Sequence, residues 1–448
     1  MPTTCFHFVR SRGCDALVRC SAPAILSLAL TGLLTGVPRP VHAQLSLAAA
    51  QRTAREVSSE LLAARETNAA AAARARQAAG FANPTLSYGR EQTSRGLQSN
   101  AQNIAQLEQV FEIAGQRGAR MSVARLRVAA SVERLAAAEL QLNVDVAQAF
   151  ALAITADDRL RIAEQGANAF AEAQRVSDAR LADGDISGYA ARRLRLESAR
   201  FAAVRSAAAL ERRAARSALA SLLGLGGRAG DTLTLARDAS DGVFAPRVLG
   251  LDSLMALAVR QRAELRIAML EAETLEAEAR LVGRERIPTP TLSLGYKGER
   301  VADPQLGSLT GFSGYVAGFS IPLPILDRRQ ASVDAASGDA RAARATIEAV
   351  RRRVQREVVE AYDALTAVEE QQALLAPHLG DESRAAMRAV QLAYAEGEIS
   401  LVEWLDAVRA YQDAELTALT LQAEAATRRA ALDRVVGARL PSPVSLRR

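Results

Sequence analysis

Apolar and polar positions along this chain fall into two regimes, helical and strand-like, and the regimes recur in the same order twice. From Leu47 to about Ala82 the sequence is Ala-rich with helical spacing. Asn83-Pro84 ends it, because proline lacks an amide donor and pushes its predecessor out of the α region. Leu86 and Tyr88 then alternate with Ser87 and Gly89, a polar stretch runs from Arg90 to Gln102, and Ile104–Ile113 returns as a mixed apolar strand. That pattern predicts a hairpin with a long polar loop. A proline-free helical pattern follows from Gln116 to Leu181. Along it Val128, Val132, Leu135, Leu142, Val146, Ala149, Ala153, Ala156 and Leu160 form a coiled-coil seam of 3- and 4-residue steps, interrupted once at Glu139. About sixty residues at 1.5 Å each span roughly 90 Å, more than a compact domain needs.

The second pass is clearer. Leu292, Leu294 and Tyr296 alternate with Thr291, Ser293 and Gly295. After a loop, Tyr315, Ala317, Phe319, Ile321 and Leu323 form one face, with Gly314, Val316, Gly318, Ser320 and Pro322 on the other. One apolar and one small or polar face over about ten residues is the length of a tilted transmembrane β-strand. A half-buried strand in a soluble sheet shares the pattern; four such strands, with Tyr88, Phe111, Tyr296, Phe312, Tyr315 and Phe319 as interfacial aromatics, favour the membrane. Val354, Val358, Ala361, Leu365, Val368 and Leu375 then repeat the helical seam, and Pro377 is predicted to kink or divide that helix.

Both long helices run into nearly the same turn. ADGDIS (Ala182–Ser187) recurs as AEGEIS (Ala395–Ser400), 213 residues on; Leu-Leu-Gly at 222–224 recurs at that spacing as Val-Val-Gly at 435–437. PTLSYG (Pro84–Gly89) recurs 206 residues on as PTLSLG (Pro290–Gly295). Such order and spacing mean a duplicated unit. In each turn Gly184 or Gly397 stops the helix, Asp185 or Glu398 follows, and Ser187 or Ser400 caps the returning helix. The expected divisions are therefore 1–43, a first repeat 44–224, a linker 225–250, a second repeat 251–437 and a tail 438–448.

Composition sharpens the picture. Aromatics are only 4%, and Lys297 is the one lysine among 56 basic residues. Arginines alternate with Glu and Asp along helical faces, the pattern of solvated surfaces rather than of a nucleic-acid partner, despite a pI near 9.6. Arg10, Arg12 and Arg19 precede an apolar run from Ala22 to Val37, and Val41-His42-Ala43 offers the small residues of a leader-peptide cleavage site before Gln44. Cys5, Cys14 and Cys20 all precede that cut, and Cys20, between Arg19 and the apolar run, is a poor lipid-attachment site. The leader holds four arginines and one aspartate, so its removal lowers the formal charge from +6 to +3. A mature chain without cysteine suits an oxidising envelope compartment.

If the strands sit in a bilayer, four cannot close a barrel, whose smallest common form has eight. An open sheet exposes two edges of unpaired amides and carbonyls at several kcal/mol per group in hydrocarbon, a total beyond the stability of a typical domain. Several chains must pool their strands.

The order of these segments, with FEIAGQRGAR (Phe111–Arg120), IPTPTLSLGY (Ile287–Tyr296) and IPLPILDRRQ (Ile321–Gln330), resembles the outer membrane efflux proteins, the TolC-like channels, over essentially the whole mature chain. The FEIAGQR and IPLPILDRRQ segments look most like the branch serving cobalt–zinc–cadmium resistance pumps. The resemblance implies a mainly α fold with a small β part: a homotrimer sharing a twelve-stranded β-barrel in outer membrane lipid and a long α-barrel across the periplasm. It also implies a passive exit duct joined by a periplasmic adaptor to an inner-membrane pump of the RND type, contacting them through the two helical turns. By the same resemblance Glu403 and Asp406 match acids that narrow the periplasmic mouth, with Arg192 and Arg193 placed to pair with them.

Ser400-Leu-Val-Glu403 is equally a helix-capping box. Trp404, the only tryptophan, reads first as packing between adjacent helices. An enzyme reading finds little support, and no cofactor or metal site is expected: His378, beside Pro377, is the one mature histidine and reads as a solvated residue at a helix break. Two alternatives remain. A periplasmic adaptor would show one helical hairpin flanked by β-rich segments, and a soluble coiled-coil scaffold would not need alternating strands.

Overall fold

The computed structural model describes residues 44–95, 98–236, 249–303, 308–379 and 381–440. The leader 1–43, residues 237–248 of the linker and residues 441–448 of the tail lie outside the described residues. The elements run α1 (Leu47–Val57), α2 (Ser59–Ala78), β1 (Thr85–Arg95), β2 (Gln98–Val110), α3 (Gln116–Ala182), α4 (Gly188–Leu222), α5 (Leu251–Gln261), α6 (Ala263–Arg284), β3 (Thr291–Asp303), β4 (Ser308–Ser320), α7 (Gln330–Leu375), α8 (Asp381–Glu396) and α9 (Leu401–Val436). The duplicated pattern is thus a duplicated succession of elements: paired short helices, a β-hairpin, a very long helix and a returning helix. At 67 residues, α3 is about 100 Å long. Pro377 divides the second long helix, which stops at Leu375, makes one 3-10 turn at Ala376–His378 and resumes as α8.

Two expectations need correction. The segment 47–82 reads as one helix but is broken, and its counterpart in the second repeat, 251–286, is broken in the same way. Ser58 and Arg262 are single extended residues; the Ser58 hydroxyl accepts from the Leu61 amide, so one residue ends α1 and caps α2. One extended residue barely disturbs a periodic pattern, so the break is invisible in spacing. The second correction concerns Arg90–Gln102, expected as a polar loop. It is mostly strand: β1 and β2 pair from Thr85↔Glu108 to Arg95↔Gln98, and β2 stays in register with β3 as far as Ser99↔Ala302. Polar side chains there bond across strands, as Asn100 does in donating to Glu299 at 2.8 Å. In the other direction β4 stops at Ser320, short of Ile321 and Leu323, because Pro322 cannot donate to the ladder.

The helical cores repeat as well. Leu47, Ala50, Ala54 and Leu61 pack with Leu142, Val146, Phe150, Leu219 and Leu223; Leu254, Ala258 and Leu265 pack with Val354, Val358, Leu365, Leu432 and Val436. The second seam is buried as expected at Val354, Val358, Leu365 and Val368. The first is buried from Leu142 to Ala156 but leaves Val132 exposed.

The recurring glycines close this arrangement. Gly224 (φ 68°) and Gly437 (φ 81°) end α4 and α9 in the left-handed conformation. A Cβ on Gly437 would meet the Arg262 Cα and the Gln261 carbonyl at 2.9 Å, so the end of α9 is seated directly on the α5–α6 break. Arg262, buried at that break, donates to the Arg434 carbonyl at 2.6 Å and pairs with Glu357 at 2.9 Å. Beside it, burial pushes the Asp433 carboxyl up to about 6, although the Leu440 amide donates to it at 3.1 Å and Arg429 and Arg439 act in the opposite sense.

Two tests follow from this junction. Gly437→Ala combines about 1–2 kcal/mol of left-handed strain with about 1–3 kcal/mol of backbone overpacking. It should lower the thermal midpoint of helix unfolding by circular dichroism, while Gly226→Ala, with open space around it, should not. For Asp433 the folded pKa lies above the unfolded one, so the folded state holds its proton more tightly and loses stability as pH rises from about 4 through about 6. Asp433→Asn should therefore be near-neutral at pH 4 and stabilising by up to about 3 kcal/mol at pH 8, read as a pH-dependent gap in melting temperature.

Candidate functional site

The sheet runs β1-β2-β3-β4, antiparallel throughout, with β1 and β4 as open edges. Every residue of β1 is exposed, and Ser293 is the only buried side chain among the described strand residues. Among the described residues nothing covers either face. Register sorts the faces. Rows Leu86–Leu107–Leu294–Ala317 and Tyr88–Ala105–Tyr296–Tyr315, with Leu292 beside Phe319, make one face apolar near the helices, while Arg90, Asn103 and Arg300 make the far end of that face polar. Rows Gly89–Ile104–Lys297–Gly314 and Glu91–Gln102–Glu299–Phe312 make the other largely polar.

Five of the six expected interfacial aromatics fit the apolar side. Tyr296 and Tyr315 meet edge-on with centroids 5.8 Å apart, and the Tyr88 hydroxyl donates to Asn103 at 3.0 Å. Phe111 follows the last residue of β2, its amide donating to the Pro290 carbonyl at 2.9 Å. Phe312 is the exception. It lies opposite Glu299, on the polar face, because its position is of opposite parity to Tyr315 and Phe319.

The far end of the helices carries the two repeated turns. Gly184 (φ 83°) and Gly397 (φ 81°) are left-handed; the Asp185 amide donates to the Arg180 carbonyl and the Glu398 amide to the Ala393 carbonyl, both at 2.9 Å. Both turns are Schellman closures. The Ser187 hydroxyl accepts from the Ala190 amide, and Ser400 forms the full box: its hydroxyl accepts from the Glu403 amide, and the Glu403 carboxylate accepts from the Ser400 amide at 2.8 Å. That amide, with the Ser400 side chain, holds the Glu403 carboxyl below the usual range. Asp406 is exposed and has no hydrogen-bond or ion-pair partner among the described residues. Neither Arg192 nor Arg193 pairs with Glu403 or Asp406 within one subunit.

Under the turns the two repeats are locked together. Trp404 stacks on Tyr394 at 5.0 Å and tilts against Phe170 at 5.0 Å, and Phe170 stacks on Phe201 at 4.0 Å. Two of these rings come from each repeat, and Arg409 of α9 pairs with Glu197 of α4. Trp404 is therefore packing, as its position suggested. One feature escaped sequence reasoning. Tyr189, Leu196, Ala203 and Leu210 recur every seven residues along α4 and are exposed, the three large ones by 63–70%. That is an unoccupied coiled-coil seam; the spacing was readable, but arginines on both sides made it look like solvated surface.

A family model described as outer membrane efflux protein matches residues 254–438, the second repeat. The cobalt-zinc-cadmium resistance protein CzcC of Cupriavidus metallidurans is 26% identical over 418 residues, 91% of this chain and 93% of its own length. Over its second repeat the chain thus matches the outer membrane efflux protein family. The nickel-cobalt-cadmium resistance protein NccC of Alcaligenes xylosoxydans xylosoxydans is 27% identical over 63% of this chain and 61% of its own length. The crystal structure of CusC superposes with a TM-score of 0.70 at 19% identity, covering 88% of this chain and 93% of that one, which establishes the TolC-like channel fold. The matches in sequence and fold together make the chain an outer membrane efflux channel component. The adaptor and scaffold alternatives fall, since two helical-hairpin units flank a single bare sheet.

Substitutions at the turn should separate packing from lining. Trp404→Ala empties a buried aromatic site and should cost about 3–5 kcal/mol, seen as a lowered melting temperature. Asp406→Ala, exposed and unpartnered, should stay within about 0.5 kcal/mol of the parent.

Proposed function

We propose that three copies of this chain form one passive exit duct, in which a shared twelve-stranded barrel crosses the outer membrane and the helices continue it into the periplasm. The observation that carries this reading is the four-stranded sheet, bare on both faces, apolar on one, and open at both edges. Three such sheets joined edge to edge remove every open edge and put the polar face, with Glu91, Lys297 and Glu299, around an aqueous lumen. The leader 1–43 directs export and is removed. A periplasmic adaptor docks on the turns at Gly184, Asp185, Ser187, Gly397, Glu398 and Ser400 and along the α4 seam, and an inner-membrane RND-type pump supplies the energy. The cargo is divalent transition-metal cations, a reading supported by the names of the two resistance relatives. Metal passes through as cargo, so the chain needs no tight metal site.

At the mouth, Asp406 presents a free carboxylate and Glu403 one restrained by its cap. In the trimer these form an acidic ring, and Arg192 or Arg193 of the first repeat pairs with it across subunits to hold the mouth closed.

Fractionation should recover the protein with the outer membrane as a heat-resistant trimer, and its deletion should lower tolerance to cobalt, zinc or cadmium. Recovery as a soluble monomer would overturn the duct; unchanged metal tolerance would overturn only the cargo. Asp406→Ala should reduce cation selectivity and alter single-channel conductance in planar bilayers, and an unaltered channel would remove Asp406 from the gate.

A further inference from the structure

Directly below the sheet, where strands give way to helices, arginine gathers. The three connecting stretches 112–120, 284–290 and 321–330 hold six arginines against three carboxylates. Most are engaged. Arg120 pairs with Glu112, and Arg329 with Glu285 at 2.9 Å. Asp327 accepts from the Arg329 amide at 2.7 Å. Arg117 donates to the Ala79 carbonyl at 2.6 Å and lies 4.3 Å over the Phe81 ring, while Arg284 reaches the Ala114 and Gly115 carbonyls. Arg286 and Arg328 are exposed and have no hydrogen-bond or ion-pair partner among the described residues.

These two guanidinium groups line one cavity of about 460 Å³ with Ile287 and Leu323; Glu112, Glu285 and Asp327 also line it, each already engaged by Arg120 or Arg329, so arginine stays in excess. That volume suits a small ligand headgroup. The N-termini of both long helices, at Gln116 and Gln330, begin at the same level and add their positive dipole ends. Just outside, Leu323 and Ile325 are each 70% exposed and Leu326 fully exposed, and this aliphatic run continues in sequence from the apolar side of β4. Unpaired cations beside exposed aliphatic side chains match the boundary between phosphates and acyl chains. A second copy of the chain would bring the same excess of positive charge to the cavity.

We infer that this cavity is a phospholipid site: Arg286 and Arg328 grip the phosphate of an anionic glycerophospholipid of the periplasmic leaflet, while Leu323, Ile325 and Leu326 lie along its acyl chains. The inference rests on the duct reading for its membrane. Guanidinium groups suit phosphate because they present parallel N–H donors. The site would fix the depth of the barrel in a chain whose cysteines all lie in the expected leader, leaving no thiol for a lipid anchor.

Native mass spectrometry of the purified full-length trimer, titrated with phosphatidylglycerol, tests this. Up to three tightly retained lipids per trimer are expected. Arg286→Gln and Arg328→Gln should each weaken retention roughly fivefold, and the double variant roughly twenty-fivefold. Arg286→Lys should recover part of the loss, and Arg428→Gln, remote from the cavity, should change nothing. Equal retention by the parent and the double variant would overturn the site. So would dissociation of the double variant into monomers, which would make the cavity a subunit contact. A parent protein that is never trimeric would instead count against the duct itself.

Discussion

Backbone hydrogen bonding at the two open strand edges is the constraint on which this molecule depends. Edge strands of 11 and 13 residues each leave on the order of ten amides and carbonyls without partners. Water can supply those partners and hydrocarbon cannot. Once the apolar face is placed in lipid, the chain is incomplete alone, and closure by identical copies follows from the same requirement. The efflux-family match and the channel fold agree with that logic, and three copies with twelve strands are the closure proposed here.

Duplication explains how one chain serves both a membrane ring and a periplasmic tube. Each repeat contributes a hairpin above and a long helix with its return below, and the β2–β3 ladder fuses the repeats across twelve residue pairs. At the opposite end the Phe201–Phe170–Trp404–Tyr394 stack makes the same connection with side chains. Between them, Gly224 and Gly437 let the returning helices close against the breaks at Ser58 and Arg262. The repeats differ where function can use the difference: the second repeat carries Glu403 and Asp406 where the first carries Ala190 and Arg193.

Much of this was legible before any coordinates. The long helices, the division at Pro377, the two glycine turns, the Ser400–Glu403 box and the duplicated order all follow from local chemistry and spacing. What stayed hidden depends on contacts between distant segments. The α5–α6 break is held by the Arg262 guanidinium reaching α7 and α9, 95 and 172 residues away. Arg90–Gln102 passed for a loop because its strand partners are polar. An alternating apolar pattern is imposed only where one face meets lipid. Phe312 was assigned by residue type alone, and counting its parity against Tyr315 would have placed it on the polar face.

Pairing of sister strands can be measured directly. The sequence from Gln44 onward has no cysteine, so one cysteine on β1, at Ser87, Gly89 or Glu91, can be combined with one on β4, at Phe312, Gly314 or Val316, with no other thiol after the expected leader. Oxidation in outer membranes should give covalent dimers and trimers for the pairs that fall in register across a subunit boundary. If every pair yields only monomers, crosslinked within one chain or not at all, the edges are not joined between subunits and the barrel account fails.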